Sequence, residues 1–358
     1  MKLKETTAKE AILYQKLPDD KVRCTACARY CEIGKNQIGL CGIRANNNGR
    51  LDLLAYGKVI TGHVDPIEKK PVTHYRPGTS IFSIATTGCN WLCKYCQNYD
   101  ISQRRKIEGT DMTPEEVVSM AKSSGSQGIA YTYNQPSIFI EFARDCGVIA
   151  RRNGLFNIFV SNGYDTPETV HMMKEFLDCI TVDFKGNAEP QFTRRYVGVP
   201  DPQPIFDTLK EIRDKTTIHV EITDLIVPQV GDDLEHAVKL CKFIYDEFGP
   251  DMPIHFLRFH PDYKMMEFES TPIKTLEKHH AVAKKEGLKY AYLGNVPGHH
   301  LEHTYCPECK KIVVKRYGFD IQGWYLDDNN NCKFCGNNIP ITGKLTENYK
   351  QNRFQFVF

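Results

Sequence analysis

The chain has 358 residues, 41% hydrophobic and 25% charged, a composition that leaves room for one large α/β unit and one or two small modules. With 46 basic against 44 acidic residues the formal net charge is +2, so bulk electrostatics give no case for nucleic acid or an anionic membrane as partner. No apolar run approaches a membrane span and the charged opening stretch, Met1 to Leu17, has no apolar signal core, so a cytosolic protein is expected.

Fourteen cysteines exceed what packing asks of a protein this size, and eleven of them fall into three groups. In a reducing compartment such groups read as metal ligands and not as disulfides. The first in the chain is Cys24, Cys27, Cys31 and Cys41, at C-x2-C-x3-C-x9-C spacing with Gly34 and Gly39 permitting tight turns. That spacing fits a structural zinc and a 4Fe-4S cluster equally well. Residues 1–78 are expected to form an N-terminal segment around this site.

Strand-like runs follow at Ser80 to Ala85, Gly128 to Tyr133, Phe156 to Val160, Cys179 to Phe184, Thr217 to Ile226, Pro253 to Phe259 and Lys289 to Leu293. Between them lie helical stretches with a recurring start, Thr113-Pro114, Thr166-Pro167 and Thr271-Pro272, two of which run to Gly125 and Gly287. Threonine is expected to cap each of these helices, proline to fill its first position and glycine to end it in a left-handed conformation. Alternation of this kind predicts βα units around a parallel sheet, a partial or full (β/α) barrel over residues 79–300. A doubly wound open sheet is the competing architecture.

The second cysteine group, Cys89, Cys93 and Cys96, has C-x3-C-x2-C spacing and begins just past the first strand-like run, where a barrel enzyme places functional residues. Three thiols are one too few for a closed tetrahedral zinc or a fully ligated cluster, which suggests a cluster with one iron open for chemistry. The plainer alternative is a zinc knuckle completed by a distant fourth thiol. Only Cys146, Cys179 and Cys241 remain for that part, and each sits in an apolar or helical pattern typical of a buried core thiol. Polar residues recur after the later runs: Asn134 and Gln135, Asn162, Asp183 and Lys185, then His255, Arg258, His260 and Tyr263, and finally Asn295. Singly each has an ordinary explanation as a turn, an ion pair or a core histidine; recurrence at one end of successive strands favours function.

The three-cysteine spacing resembles the defining motif of the radical S-adenosylmethionine (radical SAM) superfamily. Tyr131-Thr132-Tyr133-Asn134-Gln135-Pro136, Ser161-Asn162-Gly163-Tyr164, Val182-Asp183-Phe184-Lys185-Gly186 and Arg258-Phe259-His260-Pro261 look like motifs of superfamily members related to the pyruvate formate-lyase activating enzyme. With the flanking cysteine groups and Asp65-Pro66-Ile67-Glu68-Lys69-Lys70-Pro71, nearly the whole chain is similar to the AmmeMemoRadiSam system radical SAM enzymes. The resemblance implies that Cys89, Cys93 and Cys96 hold a 4Fe-4S cluster whose open iron binds S-adenosylmethionine, which is cleaved to a 5'-deoxyadenosyl radical. It places Tyr95 beside the adenine, and Asn134 and Gln135 near the S-adenosylmethionine amino group. Related sequences carry Glu where this one has Gln135, and an amide offers no opposing charge to an ammonium. Asn162, Asp183, Lys185 and His260 match positions that contact the methionine moiety, ribose or peptide substrate. The implied activity is that of an oxidoreductase abstracting hydrogen from a protein or peptide, with a small metabolite or a protein side chain as the alternative target. The implied partners are a ferredoxin- or flavodoxin-like electron donor and proteins of the AMMECR1 and Memo types.

The third group, Cys306, Cys309, Cys332 and Cys335, is a pair of C-x2-C knuckles 22 residues apart with strand-like runs Ile312 to Tyr317 and Trp324 to Leu326 between them. This is zinc-ribbon spacing, expected to organise residues 301–358, although a rubredoxin-like iron or an auxiliary cluster shares the ligand type. A non-enzymatic reading, a zinc ribbon binding nucleic acid, would rest on Lys310, Lys311, Lys315, Arg316 and Tyr317.

Overall fold

The computed structural model of the protein describes residues 8–103, 106–345, 349–350 and 355–358; the first seven residues of the N-terminal segment lie outside them. The seven expected runs become strands β2 to β8 of one sheet, which gains an unexpected strand from each flank of the barrel: β1 (Thr61–Pro66), β2 (Ser80–Ala85), β3 (Gly128–Tyr131), β4 (Phe156–Ser161), β5 (Cys179–Lys185), β6 (His219–Ile226), β7 (Ile254–Arg258), β8 (Ala291–Gly294) and β9 (Gln355–Phe356). Across the sheet they stand in the order β8-β7-β6-β5-β4-β3-β2-β1-β9. Strands β2 to β8 are parallel; β1 pairs antiparallel with β2, and β9 pairs antiparallel with β1. Among the described residues the six longer helices in the connections are α1 (Pro114–Ser123), α2 (Ile140–Arg152), α3 (Pro167–Met173), α4 (Gln203–Lys215), α5 (Leu234–Phe248) and α6 (Ile273–Lys285). An unbroken sequential strand order excludes the doubly wound alternative, whose order reverses at a switch point. Strands β8 and β9 end the sheet without pairing to each other, so the barrel is partial and not full.

Both faces of the parallel strands are buried, as βα crossovers require. Phe82, Ile84, Tyr131, Phe159, Ile180 and Val182 join the main core shared with the helices. Their neighbours Ile81, Ala130, Ile158 and Cys179 form a second cluster with Ile67, Val72 and Tyr75 of the segment after β1. That segment is pinned by the buried Glu221 of β6, which accepts bonds from the backbone amides of Thr73 and His74. Cys146, Cys179 and Cys241 are fully buried core thiols, as expected.

Helix starts follow the sequence in two of three cases. Thr113 and Glu116 form a reciprocal capping box on α1, and Thr166 accepts from the Thr169 amide on α3. The expectation for Thr271 is corrected: α6 is capped by Pro272 without a side-chain bond. The Thr271 hydroxyl instead donates to the Ile226 carbonyl at 2.6 Å and accepts from the Phe259 amide at 2.9 Å, tying the ends of β6 and β7. Strand β6 starts two residues later than expected because the Thr216 hydroxyl captures the Ile218 amide in the turn that ends α4.

The N-terminal segment folds as small antiparallel sheets seated on the barrel. The Thr166 and Thr169 hydroxyls donate to the carbonyls of Thr25 and Ala26 at 2.6 and 2.9 Å. Arg44 and Glu141, both almost wholly buried, form an ion pair between this segment and α2. At the other end Thr304–Tyr305, Ile312–Tyr317 and Asp320–Trp324 make a three-stranded ribbon. The last strand lies earlier than the expected Trp324 to Leu326, because Leu326 turns off to bridge Cys332. Arg316, counted in the sequence as part of a basic stripe, is buried; it donates to the Thr304 hydroxyl at 2.8 Å within the ribbon and to the Thr73 carbonyl at 3.4 Å, which docks the ribbon on the segment after β1. Among the described residues no helix is long and apolar enough to cross a membrane.

Candidate active site at the strand ends

The loop after β2 carries the three cysteines, and it can turn there because Gly88 takes φ +84°. A side chain at that position would begin 2.2 Å from the Cys41 carbonyl oxygen, so only glycine fits. Asn134, from the loop after β3, donates to the Gly88 carbonyl at 2.8 Å. On the far side the amides of Leu92 and Lys94 donate to Val197 and Tyr196, and the Lys94 carbonyl accepts from Lys264. Four separate chain segments therefore fix one loop.

Burial pushes the Cys89 thiol up to about 11, partly offset by the backbone amides of Trp91 and Gln135. Cys93 is raised further, by burial and then by the neighbouring thiols Cys96 and Cys89; Cys96 is raised by burial despite its 3.2 Å contact with the Ser102 hydroxyl. Three buried thiols that resist ionisation on their own gain their charge-compensating partner only when a metal replaces their protons. Around them the Thr87 hydroxyl, Asn90 Nδ2, Trp91 Nε1 and Asn134 Oδ1 are buried with no hydrogen-bond partner. Buried polar atoms in native proteins are otherwise nearly all satisfied, so this concentration marks a place for a ligand.

Asp183 and Lys185 stand at the end of β5, with Lys185 donating to Asp183 at 3.1 Å and the Thr223 hydroxyl donating to the same carboxylate. Burial would lower the Lys185 ammonium, but Asp183 and Cys93 outweigh it and raise it. Tyr95 is buried with its ring stacked on Phe192 and edge-on to Phe259. Asn162 donates to Asn90 Oδ1 at 2.8 Å and so reaches the residue beside Cys89.

Gln135 has a different setting from an open cleft wall. Its Nε2 donates to the Ser137 and Ser161 hydroxyls, each at 2.8 Å, and to Asp165 at 3.0 Å, while its Oε1 accepts from the Asn162 amide at 2.7 Å. The carboxamide is the hub of a buried knot that holds the β3 and β4 loops together. His260 stands apart, with its side chain 68% exposed and 3.2 Å from Asp262. Asp165 and Asp224, both buried acids, lie outside the residues expected from the sequence. Asp224, raised by burial to about 7, lies inside an apolar strand run, and an acid in such a run was the available signal.

At the C-terminal ribbon the Cys306 and Cys335 sulfurs are 3.6 Å apart and those of Cys309 and Cys332 are 3.7 Å apart, with all four within 4.8 Å of one another. A zinc ion with Zn–S of about 2.3 Å holds its four sulfurs about 3.8 Å apart, so these residues fit one tetrahedral metal ion.

A partial barrel with a three-thiol loop at the carboxyl end of its first parallel strand is the architecture of an enzyme that carries a cofactor at its strand ends. Residues 83–244 match the sequence model of the radical SAM superfamily, so the chain carries a radical SAM domain. A domain of this kind implies a 4Fe-4S cluster and S-adenosylmethionine as cofactors. The chain is 44% identical over 336 residues to the uncharacterized protein MJ0808 of Methanocaldococcus jannaschii, covering 93% of this chain and 99% of that one. Among solved structures it is similar to a domain of the pyruvate-formate lyase-activating enzyme from Bacteroides vulgatus (16% identity, TM-score 0.41, 48% of this chain and 100% of that one). It is also similar to SuiB of Streptococcus suis bound to S-adenosylmethionine (10% identity, TM-score 0.47, 66% and 53%) and to a radical SAM methyltransferase from Sphaerobacter thermophilus (13% identity, TM-score 0.46, 61% and 66%).

Proposed function

We propose that Cys89, Cys93 and Cys96 are the cluster ligands of a radical SAM enzyme that abstracts hydrogen from a protein or peptide. The observation that carries this reading is the ring of unpartnered buried polar atoms on Thr87, Asn90, Trp91 and Asn134 around three thiols of matching spacing. When bound, the cluster and S-adenosylmethionine supply the 5'-deoxyadenosyl radical; the chain's own residues bind, orient and exclude water. Lys185 sets a positive charge beside Cys93 and Cys96, opposing the charge that three thiolates would bring. Tyr95 forms an aromatic wall where the adenine is expected. Asn134 positions the loop, and Gln135 with Asn162 positions Asn90. Asp183 is placed to meet the ribose or methionine end, and the exposed His260 to meet a substrate at the rim.

A polypeptide substrate is favoured because the sheet is open at the edge of β8, which gives lateral access that a closed barrel denies. Radical modification of a small metabolite or of a protein side chain is the second reading. A ferredoxin- or flavodoxin-like protein would supply the electron, and proteins of the AMMECR1 and Memo types would act in the same pathway. A single zinc in the C-terminal ribbon completes the proposal. Under strong reductant, Cys93→Ala should lose 5'-deoxyadenosine formation entirely, and undiminished turnover would place the chemistry elsewhere. Substrate class is read by offering deuterated protein and deuterated small-molecule fractions separately and following deuterium into 5'-deoxyadenosine.

A further inference from the structure

The four N-terminal thiols, Cys24, Cys27, Cys31 and Cys41, surround a cavity with room for a water-sized sphere, enclosing about 330 Å³ not filled by atoms, open solvent included. A tetrahedral zinc site has no such room, since sulfurs about 2.3 Å from its centre would overlap any sphere placed there. Sulfur spacing separates the sites in the same way. Among the described residues the C-terminal thiols are the one group of three or more ligand atoms that all lie within 4.8 Å of one another. Neither the N-terminal four nor the three on the barrel loop close to that distance. A cubane cluster sets an iron-sulfide core between its thiolates and holds them farther apart than one ion does.

All four residues carry free thiols, so the space is not left over from disulfide pairing. Its walls are otherwise mostly apolar, with Arg29 and the Glu141-paired Arg44 also lining it. Asn90, next to the barrel ligand Cys89, lines the same cavity, and the Cys41 carbonyl lies against Gly88 on the other side of Cys89. The N-terminal cavity thus abuts the barrel loop at Asn90, one residue from Cys89.

We propose that Cys24, Cys27, Cys31 and Cys41 hold a second 4Fe-4S cluster, closed by its four thiolates and directly adjoining the first. It has no open iron and does not bind S-adenosylmethionine. The neighbouring position of the two clusters rests on the assignment of Cys89, Cys93 and Cys96; the cluster itself does not.

The test uses the full chain, reconstituted with iron and sulfide without oxygen, beside a Cys89→Ser, Cys93→Ser, Cys96→Ser triple variant. Iron and sulfide should fall twofold in the variant, from about eight to about four of each per chain, with zinc unchanged at about one. The reduced variant should keep an electron paramagnetic resonance signal that S-adenosylmethionine does not alter. The reduced wild type should show spin-spin broadening that the variant lacks. About four irons with two zincs per wild-type chain would overturn the proposal, whether or not the variant folds. A wild-type chain that holds about eight irons with no signal responsive to S-adenosylmethionine would leave the second cluster standing and remove the proposed function instead.

Discussion

Gln135 donates to Asp165 at 3.0 Å inside a knot closed to solvent, where Ser137 and Ser161 complete the contacts. The two side chains belong to different strand-end loops, so the bond fixes the floor beneath Asn162 and Asn90. Exchanging the amide for the carboxylate of related sequences would set two acids against each other in this knot. Gln135→Glu is expected to destabilise the protein at pH 7.5 by about 2–4 kcal/mol and to weaken S-adenosylmethionine binding, since the loop geometry relaxes. Thermal unfolding beside equilibrium binding checks this; a variant of native stability that binds more tightly would show that residue 135 faces the cofactor.

Asp165 gives the knot a pH signature. Burial raises its carboxyl from the ordinary 3.8 to about 6, offset in part by bonds from Ser137, Ser161 and Gln135. The folded state therefore binds the proton more tightly, so stability falls as pH rises from about 4 to about 6, and the loss is complete above that, at about 3 kcal/mol. Asp165→Asn should remove this slope, raising the unfolding midpoint at pH 7.5 while leaving it nearly unchanged at pH 4. Parallel midpoint curves for the two proteins across that window would contradict the argument.

Gly88→Ala forces a β-carbon into the Cys41 carbonyl at a backbone angle that alanine resists. The loop carrying Cys89 must then move away from the N-terminal segment. A loss of more than about 3 kcal/mol is expected, together with loss of iron from the reconstituted protein. Metal content and unfolding measured together on the purified variant decide it, and native values for both would show that the contact is soft.

Arg44 and Glu141 form a buried pair, with Arg44 also donating to the Ile138 carbonyl at 2.8 Å and Glu141 accepting from the Ile12 amide at 3.0 Å. Removing one partner strands the other charge, so Arg44→Met should cost about 3–5 kcal/mol. The double replacement Arg44→Met, Glu141→Leu should recover part of that loss. A double-mutant cycle on unfolding free energies reads the coupling, and strictly additive losses would show that the pair acts through its separate backbone contacts.

Chelation at the C-terminal ribbon should release about one zinc and melt the ribbon at lower temperature than the barrel, because its core is small and its four sulfurs hold it together. Calorimetry before and after a chelator would show one transition shifting while the other stays. A single transition moving as a whole would mean that ribbon and barrel unfold together, through the bond from Arg316 to the Thr73 carbonyl and the 3.0 Å contact of the His74 ring with the Pro340 carbonyl.

The parallel strands were legible because each is an apolar or β-branched run bounded by polar turns, and so were the capping threonines of α1 and α3. Thr271 shared their pattern but not their role, since a hydroxyl that can reach a buried carbonyl and amide on two strands satisfies more than a helix start does. The same limit applies at Gln135. Its position at a strand end is readable from the chain, but the direction of its amide depends on Ser161 and Asp165, which only folding brings near. Spacing alone does not distinguish the flanking cysteine groups; in the fold, among the described residues, only the C-terminal four close to within 4.8 Å of one another.

Thr25 and Ala26, which flank the first thiols, are held by hydroxyls 141 and 143 positions further along the chain. During synthesis those thiols leave the ribosome long before the helix that seats them. For that interval they are unhoused and open to any stray ion or oxidant, and they gain their seat only when the middle of the barrel has been made.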